Sequence, residues 1–207
     1  MRRSSLSVMG ILVMGVVTGA TSVVRAEGPG GTLRFTINPA ASKMTARVAE
    51  PMAMIRGSAE GTFTILKGEV KGAPTAVADT AHVSLVVDAA SYKTTSEARD
   101  RDVRENALEA QKFPTITFES TGVADVARKS DRAGRLRVLG QLTLHGVTKT
   151  ISVPVAVGLD DQGRLVADGT YVFKFKEYGV KRPSKMMGLM TTGDEAEIRF
   201  HVVADPA

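Results

Sequence analysis

The sequence predicts an all-β protein: a closed antiparallel β-barrel of about eight strands with one short helical excursion. Three observations carry that reading. Apolar residues recur with period two almost everywhere from Leu33 onward, the pattern of strands buried on one face. Turn formers separate the alternating stretches, at Asn38-Pro39, Lys67-Gly68, Asp161-Gln162-Gly163 and Thr192-Gly193-Asp194. One stretch alone, residues 94–113, loses the alternation and gains helix formers. A meander of so many strands hides its edges by closing on itself.

The strands follow in order. "LRFTI" sets Leu33, Phe35 and Ile37 against Arg34 and Thr36, and "KMTARV" repeats this with Met44, Ala46 and Val48. "GTFTIL" contributes Phe63 and Ile65, and "HVSLVVD" contributes Val83, Leu85 and Val87. After the helical stretch, "TITFES" offers Ile116 and Phe118, and "LRVLGQLTLHG" offers Leu136, Val138, Leu142 and Leu144. "TISVPVAVG" gives Ile151, Val153, Val155 and Val157; "GTYVFKFKEYG" sets Tyr171, Phe173 and Phe175 against Val172, Lys174 and Lys176. "AEIRFHVV" closes the series with Ile198, Phe200 and Val202. In the excursion, Thr94 followed by Glu97 fits a capping box, and the helix must stop before Pro114.

The first 26 residues read as a secretory signal: Arg2 and Arg3, an uncharged stretch from Ser4 to Val24, and small or β-branched residues before Ala26. Gly10, Gly15 and Gly19 argue against a retained membrane anchor. Sec and twin-arginine export both stay open. This leaves a flexible N-terminus at 27–32 and one domain at 33–204, placed in the periplasm or outside the cell. There is no cysteine, so neither a disulfide nor lipid attachment through a thiol is available, and the hydrophobic core must suffice. Of the 27 basic residues, Arg2, Arg3 and Arg25 lie in the signal, leaving 24 against 22 acids. That near balance, without interleaved exposed aromatics, speaks against a nucleic-acid partner. A lipid-embedded barrel is disfavoured by strands that look short, by the absence of tryptophan and by outward charges at Arg34, Lys43, Arg47, Lys174, Lys176 and Arg199.

Three stretches together resemble the YceI-like family. They are "FTINPAASKMTARV" (35–48), "VDAASYKTTSEARDRDVRENALEAQKFPTITFES" (87–120) and "VLGQLTLHGVTKTISVPV" (138–155), in the family's order. The likeness runs from about Leu33 to Val203. It implies a lipocalin-like closed antiparallel barrel whose hydrophobic interior holds a polyisoprenoid or similar long amphipathic lipid, export from the cytoplasm, and no enzymatic activity. This chain departs from the pattern at Asp102, where a histidine commonly follows the Arg-Asp pair. It departs again at Ala107, Leu108 and Ala110, where aromatics are common, and in the methionine-rich "PMAMIRGSAEG" (51–61). These departures bear on ligand identity and on one cavity wall.

Candidate chemistry is sparse. His82, His145 and His201 lie on different strands without metal-ligand spacing, and there is no Gly-x-Ser-x-Gly elbow or phosphate-cradling loop. No catalytic residue, metal or cofactor is expected. The acids Asp100, Asp102 and Glu105 alternate with Arg99, Arg101 and Arg104, as in ion pairing along a helix. The expected cavity lining is Phe35, Met54, Phe63, Leu85, Ile116, Phe118, Leu142, Val155, Tyr171 and Phe173. The expected headgroup or portal residues are Arg99, Asp100, Lys181, Arg182, Met186 and Met187. "SKMMGLM" reads equally as a lid, a membrane-touching loop or a packed turn.

The leading expectation is an exported lipid-binding protein that holds a long-chain isoprenoid or fatty-acyl lipid for transport, storage or stress response. Transient membrane contact and a homodimer through edge pairing stay open. One rival is an exported interaction or stress-response module with a filled core, acting through Lys181, Arg182 and Lys185. The other is an enzyme working on a lipid inside the barrel, which needs a buried polar pair such as His145 with Asp88 or Glu119.

Overall fold

A computed structural model of the chain describes residues 31–52, 55–73, 76–182, 184–185, 190–191 and 193–207. The expected signal, most of the flexible N-terminus, and Met54, Met186 and Met187 lie outside the described residues. The period-two stretches become strands, except that the one running through Tyr171 and Phe173 leaves the sheet after Lys174, before Phe175 and Lys176. They are β1 (Leu33–Ile37), β2 (Lys43–Met52), β3 (Ile55–Gly72), β4 (His82–Lys93), β5 (Thr115–Ser130), β6 (Ala133–Leu144), β7 (Val147–Leu159) and β8 (Leu165–Lys174), then a small ladder of β9 (Ser184–Lys185) with β10 (Met190–Thr191), and finally β11 (Glu195–Pro206). Neighbours from β2 to β8 pair antiparallel in chain order.

β11 closes the barrel. One edge runs along β8 from Glu195↔Lys174 to Ala204↔Leu165. The other edge takes β2 from Ala196↔Val48 to His201↔Lys43, and then β1 from Ile37↔Ala204 to Phe35↔Pro206. β1 and β2 are therefore successive halves of one position in an eight-position barrel. The turn expected at Asn38-Pro39 forms, but the chain does not reverse there. Asn38 Oδ1 accepts the amides of Ala40 and Ala41, each at 3.1 Å, and Asn38 Nδ2 donates to Asp205 at 2.8 Å. This side-chain-built jog lets the chain step outward and rejoin the same slot.

Lys67-Gly68, by contrast, is not a turn. It lies inside the 18-residue β3, beside a register shift between Ile65 and Lys67. A Cβ on Gly68 would stand 2.4 Å from Ile37 Cδ1, so glycine is needed there for close approach at a bulge. Apart from the five-residue β1, the barrel strands run from 10 to 18 residues, longer than their local alternation suggested. Bulges interrupt the period without ending the ladder.

The excursion is a helix, α2 (Glu97–Asp102), that loosens into a π-turn at Val103–Ala107. Its cap is Ser96, whose Oγ accepts the Arg99 amide at 3.4 Å; the expected cap, Thr94, instead hydrogen-bonds to Asp100. Two short helical pieces were not expected: α1 (Val77–Thr80), between β3 and β4, and a 3₁₀ turn at Phe175–Tyr178 after β8, where the alternation predicted more strand. A single turn is too short to show a 3.6-residue period.

The interior is apolar, with Phe35, Ile37, Ile65, Val87, Val202 and Ala204 buried together. Arg34, Lys43, Arg47, Lys174, Lys176 and Arg199 are exposed. That is the reverse of a barrel embedded in lipid, whose outer face is apolar and whose lumen is polar.

Candidate functional site: an apolar cavity in the barrel

The barrel encloses a cavity of about 880 Å³. Eight strands leave a lumen just wide enough for side chains or one small ligand, so an empty volume of this size needs an explanation. Part of it lies in two aromatic side chains and two glycines. A Cβ on Gly169 would stand 2.3 Å from Phe200 Cζ, and one on Gly140 would stand 2.5 Å from Phe118 Cζ. Each ring therefore lies across the glycine of a neighbouring strand, within the thickness of the wall. Phe118 and Phe200 line the lumen without filling it.

Of the residues expected to line the cavity, Phe35, Phe63, Leu85, Ile116, Phe118, Leu142, Val155, Tyr171 and Phe173 all stand on its wall. Tyr92, Val103 and Val180, which sequence reasoning did not single out, also do, as do Phe175, expected on the inward face, and Leu108, named as a departure bearing on one cavity wall. Tyr92 follows a break in the β4 alternation, where the register against β3 jumps from Asp88 to Lys93. The others sit on short helical pieces or loops that reach the wall only in three dimensions.

One end of the barrel is plugged. Val103 and Ala107 from the π-turn, with Leu108 just after it, pack with Tyr92, Leu144, Phe173, Phe175 and a fully buried Tyr178. The non-aromatic residues Ala107, Leu108 and Ala110 are all buried. Burial, first, and then the neighbouring Tyr171 hydroxyl at 3.3 Å push the Tyr178 phenol far above its ordinary range.

His145 fastens the plug. With Gly146 it forms the two-residue turn between β6 and β7, at φ +53° and +73°, the left-handed pair that matches hairpin twist. Its Nε2 lies 2.6 Å from Glu109 Oε2 and its Nδ1 lies 3.3 Å from the Tyr178 carbonyl oxygen. Its ring is tilted against Phe113 at 4.6 Å. The His145 hydrogen bond, chiefly, holds the Glu109 carboxyl below its ordinary value. The pairing required by a lipid-converting enzyme is not formed. Asp88 Oδ1 accepts the Ala90 amide in its own turn, and Glu119 pairs with His82 on the outside at 2.7 Å. Strand alternation turns both acids away from His145.

The charged groups on the wall sit near the two ends. Arg99 and Asp102 reach it from α2; Lys71, Arg128, Asp131, Arg132 and Arg135 reach it at the opposite end, beside α1 and the β5–β6 tip. Asp100 is not on the wall. It is buried at 3% exposure, with Oδ1 accepting the Thr94 amide at 2.8 Å and the Thr94 hydroxyl at 2.7 Å. Lys181 and Arg182 are exposed and off the wall. Among the described residues, no group of histidines and acids is placed to hold a metal ion.

Comparisons with known proteins agree with this architecture. A UPF0312 protein of Vibrio vulnificus is 38% identical over 126 residues, which is 58% of this chain and 60% of that protein. The match thus spans about three fifths of the length of that curated relative. A UPF0312 protein of Shewanella sp. is 28% identical over 187 residues, 86% of each chain. The solved structure of Burkholderia cenocepacia BcnA superposes with a TM-score of 0.66 at 25% identity, over 81% of this chain and 99% of that one. A polyisoprenoid binding domain from Saccharophagus degradans, implicated in plant cell wall breakdown, shares the fold with a TM-score of 0.62 at 16% identity, over 84% of this chain and 99% of that one. The YceI-like domain model itself matches residues 35–204, from the first barrel strand into the last, and the chain belongs to the YceI-like family.

Proposed function

We propose that this protein binds one long-chain isoprenoid or similar amphipathic lipid lengthwise in its barrel, and carries or stores it without converting it. The observation that carries the reading is the cavity: about 880 Å³, apolar along its middle, and closed at one end by a packed plug. That volume falls in the usual range for small-molecule sites, roughly 300–1,000 Å³. Each buried methylene contributes about 0.8 kcal/mol, so a chain of ten or more carbons binds firmly with few polar contacts. The Saccharophagus degradans domain, described as polyisoprenoid binding, supports the ligand class. Among the described residues the wall between its two charged ends is lined mainly by aliphatic and aromatic side chains, with no carboxylate, histidine or lysine there, which favours holding over turnover. The apolar cavity likewise favours a bound lipid over an interaction module with a filled core.

The first 26 residues support export, which puts the protein where envelope lipids are available. N-terminal sequencing of the protein recovered from the cell envelope tests this, with Glu27 expected as the new first residue. For the ligand, gentle purification followed by native mass spectrometry and organic extraction is decisive. A single added mass that extracts as a prenyl or long acyl lipid is expected. Consistently empty protein that takes up neither class of chain would overturn the reading.

A further inference from the structure

The unplugged end of the barrel has chemistry that lipid holding does not require. Apart from Ala98, every exposed residue on the cavity wall lies within residues 126–135 or is Leu159. Two of them are large aliphatic side chains left in solvent: Val126 at 43% and Leu159 at 36% exposure. Val126 is there because β5 is bent to put it there. Between Ala124 and Ala127, β5 carries one residue more than β6, and Asp125 takes φ +52°, a left-handed conformation that non-glycine residues rarely adopt. Arg137 Nε donates to the Asp125 carboxylate at 2.9 Å and steadies that bulge. A second extra residue follows between Arg128 and Ser130. Bulges of this kind re-aim side chains: strict alternation from Val123 would turn Asp125 to the wall, and the extra residue brings Val126 there instead.

The same tip is basic. From Val123 to Val138 the chain carries Arg128, Lys129, Arg132, Arg135 and Arg137 against Asp125 and Asp131. Arg132 is tied to the β7–β8 turn, through the Asp160 carbonyl oxygen and the Asp161 carboxylate. Lys129 and Arg135 have no ion-pair partner among the described residues. Exposed aliphatics ringed by cations at the mouth of an apolar cavity match one surface closely: the headgroup layer of an anionic bilayer, where cations meet phosphates and short apolar side chains enter the interface.

We propose that the β5–β6 tip, together with Leu159, is a membrane-docking surface for anionic phospholipid, placing the cavity mouth directly on the bilayer. The role of docking in loading rests on the lipid-holding function proposed above; docking itself is measured independently of what the cavity contains. Full-length mature protein is mixed with vesicles of phosphatidylcholine alone, or with one third phosphatidylglycerol, and the bound fraction is read by co-sedimentation.

Binding to the phosphatidylglycerol vesicles alone is expected, with release near 1 M salt, where the screening length falls to about 3 Å. Each basic side chain near such a surface contributes roughly a fivefold factor, so Lys129→Glu with Arg135→Glu should weaken binding at least tenfold. Val126→Ser with Leu159→Ser should weaken it further at unchanged charge. The pair Lys181→Glu with Arg182→Glu, at the plugged end, should leave binding unchanged. Circular dichroism and melting curves establish that each variant is folded.

Binding that ignores phosphatidylglycerol overturns the proposal, as does an equal loss in the Lys181/Arg182 pair. Self-association through the tip, seen as a concentration-dependent mass without vesicles, also overturns it. Vesicle binding by protein that never carries a lipid would leave docking standing while removing the cargo reading. Cargo without vesicle binding would do the reverse.

Discussion

His145 Nε2 stands 2.6 Å from Glu109 Oε2, joining the β6–β7 turn to the segment that follows the π-turn, 36 residues earlier in the chain. On its other side His145 meets the carbonyl of the fully buried Tyr178. Both partner atoms are hydrogen-bond acceptors within reach of the ring. Three chain segments are thereby tied across the closed end of the barrel by one side chain.

Replacing that side chain tests the tie. His145→Ala removes the ring from both of its partners and keeps a side chain at positive φ. His145→Gly relieves the backbone but not the lost bonds. Denaturant unfolding should therefore rank wild type above His145→Gly, and His145→Gly at or above His145→Ala. Equal stability of all three would show that the tie contributes nothing.

Acid should loosen the same tie. The Glu109 carboxyl is held below its ordinary value of 4.5 by the hydrogen bond from His145. A group depressed in the folded state stabilises above its unfolded pKa and loses that contribution as pH falls through the folded pKa. The stability gap between wild type and Glu109→Gln should be constant near neutrality, shrink as pH drops below 4.5, and close once Glu109 is protonated. Chemical denaturation at a series of pH values reads this directly, and a gap that widens in acid contradicts it.

The lumen should be closable from its wall. In Gly169→Val, the new side chain occupies the place of the Phe200 ring, whose nearest atom is 2.3 Å from the Cβ position, and Phe200 must swing inward. Overpacking of this kind costs about 1–3 kcal/mol, which a barrel of this size should survive. Native mass spectrometry should then show loss of the long-chain adduct, with shorter chains still accepted. Retention of the same adduct would mean that the rings do not set the free volume.

Asp100 should behave as a structural residue. Its carboxylate receives both donors of Thr94, and Asp100→Ala leaves them unpaired at a buried site, at about 1–3 kcal/mol. The melting temperature should fall while the mass of the bound lipid stays the same. A change of ligand at unchanged stability would instead support a headgroup role.

Much of this protein is legible in one dimension, because a strand's two faces differ at every second residue. Phe35, Leu85, Phe118, Val155 and Phe173 all stand on the cavity wall, and that follows from alternation once the sheet is closed. The His145-Gly146 turn is legible for a similar local reason: two residues between alternating runs, with a glycine for the left-handed angle. The motifs of the YceI-like family carried the fold further than periodicity could.

Tertiary structure alone decided the rest. Whether inward residues meet a void or each other depends on Phe118 and Phe200 lying over Gly140 and Gly169, contacts between neighbouring strands that no local pattern encodes. Lys67-Gly68 and Asn38-Pro39 look like hairpin turns until closure shows a bulge shaped around Ile37 and a jog within a single slot. Which end is plugged and which is open was decided by Leu108, Tyr178 and His145, brought together from three distant segments. The same closure set the arginines of the β5–β6 tip around the cavity mouth. Sequence alone determined the strands and their inward faces, because side-chain alternation is a local property of extended backbone. The cavity, its plug and its mouth are properties of closure, and closure is made of long-range contacts.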